Sequence, residues 1–99
     1  MYKVLFFLHK TNEVHFEEHF KEFTLKYIGE VIGEKIIAGK VESNLLLEQK
    51  YNLFCEVSAE TKDKWDKLMN SPAGKKLNED LSDFHQFITV IFINYNENL

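Results

Sequence analysis

The chain has one cysteine, one proline, four glycines and no apolar run long enough to cross a bilayer. Each scarcity closes off a class of protein. A lone thiol, Cys55, cannot form a disulfide within one chain, which suits a reducing compartment, and it cannot build a four-cysteine zinc site. The N-terminal run from Val4 to Leu8 is too short for the apolar part of a signal peptide or for a membrane span, and no small-residue cleavage site follows it. A cytoplasmic location is therefore expected. Positive charge is also in deficit, with 12 Lys and Arg against 16 Asp and Glu and a net charge of −4. Both signs are dispersed, whereas nucleic acids and anionic membranes select a concentrated basic field, so neither is an expected partner. A glycine-rich phosphate loop and a serine-centred nucleophile elbow are missing too, and no motif asks for a cofactor.

What the 99 residues do contain is apolar and aromatic: 44% hydrophobic, with nine Phe. A chain of this length buries somewhat more than ~60% of its unfolded surface, enough for one core and one domain over residues 1–99. Residues 2 to 9 alternate Tyr2, Val4, Phe6 and Leu8 with Leu5 and Phe7, a strand apolar on both faces and so expected at the centre of a sheet. After the turn at Lys10-Thr11-Asn12, Phe16, Phe20, Phe23, Tyr27 and Val31 recur at helical spacing and predict an aromatic core stripe, with His15, His19 and Lys26 along its flank and Leu25 opposite. Gly33 is placed to stop that helix. Residues 34–44 read as a second strand, with a bulge marked by Gly39. Leu45-Leu46-Leu47 fits either an extension of that strand or a loop.

Tyr51, Leu53, Cys55 and Val57 alternate with Asn52, Phe54, Glu56 and Ser58, the period of a third strand. Thr61 or Glu60 can cap the helix that follows, whose Trp65, Leu68 and Met69 form its apolar stripe. Ser71-Pro72 breaks it, and Pro72 suits the first turn of a further short helix carrying Leu77 and Leu81. Residues 86–95 form a last strand, again largely apolar on both faces. Two strand-helix-strand units with right-handed crossovers put the helices on one side of an antiparallel sheet, which predicts an α+β, ferredoxin-like βαββαβ sandwich with four strands. The first and last strands are greasy on both faces, yet the helices cover one. An exposed apolar face of that kind marks an interaction site, and a two-fold homodimer packed sheet on sheet is the economical cover.

The strand ending Phe54-Cys55-Glu56-Val57 before a helix, the Ser71-Pro72-Ala73-Gly74-Lys75-Lys76 turn before a short helix, and the aromatic-rich last strand together resemble the EthD family of the dimeric α+β barrel superfamily. The likeness runs over nearly the whole chain. It implies a dimeric α+β barrel, with a small-molecule pocket beside each subunit's sheet and helices. It also implies a place among proteins linked to ether breakdown, or among cyclases, dehydratases and monooxygenases that act on polyketide or aromatic compounds; many members have no known activity. EthD-like chains commonly carry a His-Ala-Pro-Leu run late in the first helix. Four residues on from Phe23 this chain reads Tyr27-Ile28-Gly29-Glu30, so the family's histidine and proline are both replaced.

Three polar residues are the catalytic candidates. Tyr27 stands where the histidine would be and can donate a hydrogen bond to a ligand carbonyl, or else it simply completes the aromatic stripe. Glu56 interrupts a strand expected to be central, where desolvation would raise a carboxyl toward the range of a base; the alternatives are an ion pair with Lys3 or Lys40, or solvent. His9 either lines a pocket at the end of the first strand or faces water. His15 and His19 have metal-ligand spacing but no fixed carboxylate opposite them, and a solvated flank describes them better, as it does His85. Cys55 and Trp65 read as core. The expected activity is binding of an apolar or aromatic small molecule by an EthD-like homodimer, with cofactor-free cyclase, dehydratase or monooxygenase-type chemistry. A non-catalytic sensing or accessory module of the same fold is the alternative, and a haem-handling variant using His15, His19 or His85 is a third.

Overall fold

The computed structural model describes residues 1–96. Chain order is β1 (Tyr2–His9), α1 (Val14–His19), a π-helical stretch (Phe20–Thr24), α2 (Leu25–Ile32), β2 (Gly39–Lys40), β3 (Tyr51–Ala59), α3 (Lys62–Met69), α4 (Pro72–Asp83) and β4 (Ile88–Asn94). The four strands form one sheet in the order β2-β3-β1-β4, and every neighbouring pair is antiparallel. This is the expected α+β ferredoxin-like sandwich, with β1 and β3 at its centre.

The barrel expected with it is not there. The sheet is open, ending at β2 on one side and β4 on the other. Four strands are too few to curl back on themselves, since even a small closed barrel takes about eight. Shortness at one edge adds to this. Only Gly39 and Lys40 pair with β3, at Phe54 and Leu53, and Val41 adds one bond by donating its N–H to the Asn52 carbonyl at 2.8 Å. The strand expected over 34–44 is therefore mostly an irregular edge. Leu45, Leu46 and Leu47 lie in the loop beyond it, 95%, 85% and 72% exposed, and Asn44 Oδ1 accepts from the N–H groups of Leu46 and Leu47.

β1 shows why the helices sit where they do. Tyr2, Val4, Phe6 and Leu8 are buried and pack with Phe20, Ile28, Trp65 and Leu77 from the helices, whereas Lys3, Leu5, Phe7 and His9 on the other face are half-buried. Each large apolar side chain so buried contributes about 1.5–3 kcal/mol. Local signals fix the ends of the helices. Thr61 caps α3 by accepting from the Lys64 N–H at 3.2 Å, Ser71 caps α4 by accepting from the Gly74 N–H at 3.1 Å, and Pro72 sits in the first turn of α4. Gly33 stops α2 in the left-handed region at φ 75°.

The first helix departs from the simple 3.6-residue stripe. Within the π-helical stretch Leu25 donates its N–H to the Phe20 carbonyl, five residues back, so this turn holds one residue more than an α turn. Phe23, expected inward, swings out to 44% exposure, and the fully buried positions become Phe20, Thr24 and Ile28. Leu25, off the stripe, is half-buried.

Candidate functional site

A groove of about 890 Å³ lies between the first helix and the segment that leads into β2. Leu25, Ile36, Ala38 and Leu53 form its apolar floor and walls, and Lys21, Lys26, Glu30, Glu34 and Lys35 surround it. Backbone geometry makes the groove. Gly33 turns the chain out of α2, and the Gly29 carbonyl then accepts from the N–H groups of Gly33 and Glu34, at 2.8 and 3.1 Å. A Cβ on Gly29 would stand 2.6 Å from the Glu34 carbonyl oxygen, so the close return of residues 34–38 along α2 depends on glycine there. Such a volume falls within the range of small-molecule pockets, and an apolar lining with a few polar groups is their usual make-up.

The three residues singled out for catalysis do not meet in this groove. Tyr27 is half-buried against the core, with the Lys76 ammonium of α4 4.9 Å from its ring centroid. Glu56 leaves the sheet on the face away from the helices, where its carboxylate lies 3.7 Å from Lys3 Nζ and its side chain is 46% exposed. That is the ion pair weighed as an alternative for it. His9 is on the same uncovered face, sharing a 2.5 Å hydrogen bond with Thr89 Oγ1. Leu5 is the partner of Glu56 across the sheet, and His9 is four residues further along β1, about 13 Å at ~3.3 Å per residue. Tyr27 is thus separated from the other two by the sheet.

A polar cluster that sequence reasoning passed over lies under the first helix. The buried Asp80 of α4 receives His19 Nε2 at 2.5 Å on one carboxyl oxygen and the Thr24 hydroxyl at 2.8 Å on the other. The ring faces the carboxyl with Nε2, and Nδ1 has no partner among the described residues. Phe84 and Phe23 flank the imidazole, with ring centroids 4.0 and 5.2 Å from it. The π-helical stretch is what permits the contact, because the extra residue brings Thr24 to the inside beside Asp80. Sequence spacing pairs His19 with His15; its actual partner is 61 residues away. A legible signal existed in Thr24 and Asp80, each a polar residue on the inward, apolar side of an amphipathic helix, beside Ile28 and Leu77 respectively.

His15 is exposed, 3.3 Å from Glu13, and His85 donates from Nδ1 to the Ser82 carbonyl at 2.9 Å. Neither these nor His19 lines the large groove. Burial pushes the Cys55 thiol up to about 12, so it is a packed apolar group rather than a nucleophile. Among the described residues no three His, Cys, Asp or Glu side chains are grouped to hold a metal ion, and no helix is long and apolar enough to cross a membrane.

No protein-family model matches the chain, and no curated protein matches it. Solved structures do. The chain superimposes on the crystal structure of an ethyl tert-butyl ether D (EthD) family protein of Bacillus halodurans with a TM-score of 0.79 and 17% identity, covering 97% of this chain and 99% of that one. It is also similar to a protein of Arabidopsis thaliana, with a TM-score of 0.59, 20% identity, and coverage of 96% and 92%. At these identities the likeness is one of fold. The resemblance to EthD proteins drawn from the sequence thus extends to the architecture of the whole described chain.

Proposed function

We propose that this EthD-like chain binds a small apolar or aromatic molecule in the groove between α2 and residues 34–38, and that it works as a homodimer joined through the uncovered face of its sheet. The groove carries the proposal. Its volume of about 890 Å³ and its floor of Leu25, Ile36, Ala38 and Leu53 suit a ligand of that class, and lysines and glutamates at the margin can orient a polar end. The homodimer draws its support from the other side of the sheet. There Leu5, Phe7, Phe54 and Ile93 are half-buried and Ile91 is 39% exposed, a contiguous apolar surface with charge only from Lys3 and Glu56.

Whether binding leads to chemistry turns on the groups available. Cyclase, dehydratase or monooxygenase-type chemistry through Tyr27, Glu56 and His9 would need them around one ligand, and they lie on both sides of the sheet. The titratable groups that line the groove are lysines and glutamates alone. That lining favours the second reading, a binding or accessory module without catalysis.

A thermal-shift screen of aromatic and polyketide-like compounds tests the binding. A hit should lose its stabilising effect in Leu25→Trp, which fills the groove, and keep it in Glu56→Gln. Compounds that stabilise Leu25→Trp as well as the wild type would refute the groove as the site. Sedimentation should give about twice the monomer mass, and Ile91→Glu should halve it without unfolding the chain.

A further inference from the structure

β4 ends the sheet, and its outer edge is open. Two bonds at its ends show which way its main-chain groups point: Tyr95 donates its N–H to the Met1 carbonyl and His9 donates to the Phe87 carbonyl, both at 2.8 Å. In an antiparallel ladder opposed residues alternate between bonded and non-bonded pairs, so Thr89, Ile91 and Ile93 turn their N–H and C=O groups to β1. Ile88, Val90, Phe92 and Asn94 turn theirs outward, where no main-chain bond among the described residues meets them.

Natural edges of this length are guarded by charge, proline or a bulge. β4 reads Ile-Thr-Val-Ile-Phe-Ile-Asn, with none of the three, and its register with β1 runs unbroken from Ile88 to Asn94. Beside the edge, on the helix side, lies a groove of about 360 Å³ with Ile88, Val90 and Phe92 from the strand and Trp65, Met69 and Leu81 from the helices. No lysine, aspartate or glutamate lines it. Phe92 shares the helix face with its partner Val4, which is fully buried, yet Phe92 itself is 55% exposed. A neighbour is missing on that side. An open main-chain edge along an uncharged groove selects an extended strand with apolar side chains at alternate positions.

We propose that this strand is β4 of a second copy, paired antiparallel about a two-fold axis through Ile91. Around that axis Ile88 faces Asn94, Thr89 faces Ile93 and Val90 faces Phe92, so all seven residues are paired. The outward-turned residues become the bonded pairs, which gives about eight main-chain hydrogen bonds at two for each of four pairs. Each Phe92 ring then stands beside Val90 of the other copy, at the groove, and loses its exposure. Two four-stranded sheets join into one continuous open sheet. The uncovered face takes no part in this contact and stays free for the dimer proposed above. Seven residues a side is well below the ~20–30 of a standard interface, so the edge contact forms at high chain concentration.

Hydrogen exchange of the ¹⁵N-labelled full chain at about 50 µM and about 2 mM, with sedimentation at the same concentrations, is the test. The amides of Val90, Phe92 and Asn94 should be protected at least tenfold more at the higher concentration, those of Thr89, Ile91 and Ile93 should gain less, and the mass should rise toward double. A rise from one chain to two or from two to four counts alike, so failure of the face contact would leave this result standing. Phe92→Pro, which removes an outward N–H and no bond to β1, should abolish the association. Phe92→Lys keeps the N–H but puts a charge on the edge, and should weaken it at least tenfold. The proposal is overturned if the outward amides exchange alike at both concentrations, which would leave the edge to a foreign strand, if the mass doubles without this alternation, or if both variants associate as the wild type does.

Discussion

Replacing Asp80 by Ala tests how far the buried polar cluster holds the first helix onto α4. Asp80 is 6% exposed and Thr24 is wholly buried, so truncation removes the acceptor of both His19 Nε2 and the Thr24 hydroxyl. Two lost hydrogen bonds are worth about 1 kcal/mol each, and a buried hydroxyl left unmet costs a further ~1–3 kcal/mol. Together these give a destabilisation of about 3–5 kcal/mol, the scale seen when one partner of a buried polar pair is removed. For a domain of this size each kcal/mol shifts the melting temperature by ~4–8 °C, so Asp80→Ala should melt at least about 12 °C below the wild type. Asp80→Asn keeps the shape and one acceptor and should lose about a third as much, roughly 1–2 kcal/mol. Urea unfolding followed by the fluorescence of the buried Trp65 is a suitable assay, with protein concentration held fixed so that any association contributes equally. A cycle with His19→Ala should give a coupling energy of about 1 kcal/mol or more. If Asp80→Ala lies within ~0.5 kcal/mol of the wild type, or if the two substitutions are simply additive, the cluster is ornamental and the reasoning fails.

Further outcomes follow from single residues. Because burial raises the Cys55 thiol to about 12 from an ordinary 9.0, its neutral form is the one the fold favours. This contribution is complete below pH 9 and is lost as pH rises toward 12, so a thiol reagent at pH 8 should label Cys55 only as fast as the chain opens; rapid stoichiometric labelling of the native protein would contradict this. A Cβ at Gly74 would lie 2.3 Å from Met69 Cα, backbone that cannot swing away, so Gly74→Ala should cost more than about 2 kcal/mol in urea unfolding. Gly39→Ala meets nothing closer than the Phe54 carbonyl oxygen at 4.0 Å and should be neutral or stabilising by up to ~1 kcal/mol. The reverse pattern would show that the α3–α4 turn is looser than described.

Local rules were readable wherever one residue and its near neighbours decide the outcome. The alternation of Tyr2, Val4, Phe6 and Leu8, the cap at Thr61, the first-turn place of Pro72 and the helix stop at Gly33 are all of that kind, and the strand order follows from them with the rule of right-handed crossovers. Failures came where a distant partner or the width of a turn decides. Nothing near residues 34–44 says that only Gly39 and Lys40 find a partner strand, because edge pairing depends on how the chain leaves Gly33. The inward place of Thr24 depends on a π turn, and that turn has its reason in Asp80, far along the chain. For the site, Leu25 was visible only as an off-stripe leucine. Its role in a groove came from the return of residues 34–38 alongside α2, which composition does not announce.

The wide turn at Phe20–Thr24 also bears on ancestry. A surplus residue tucked into a continuous helix can be dropped without severing the rod, at the cost of rotating everything beyond it by about 100°. A cousin that lacks the surplus would keep the same silhouette while spelling its inward letters one place earlier. Ungapped comparison of the two would then pair inside with outside through the rest of the helix, which is one physical route by which likeness of shape can outlast likeness of text.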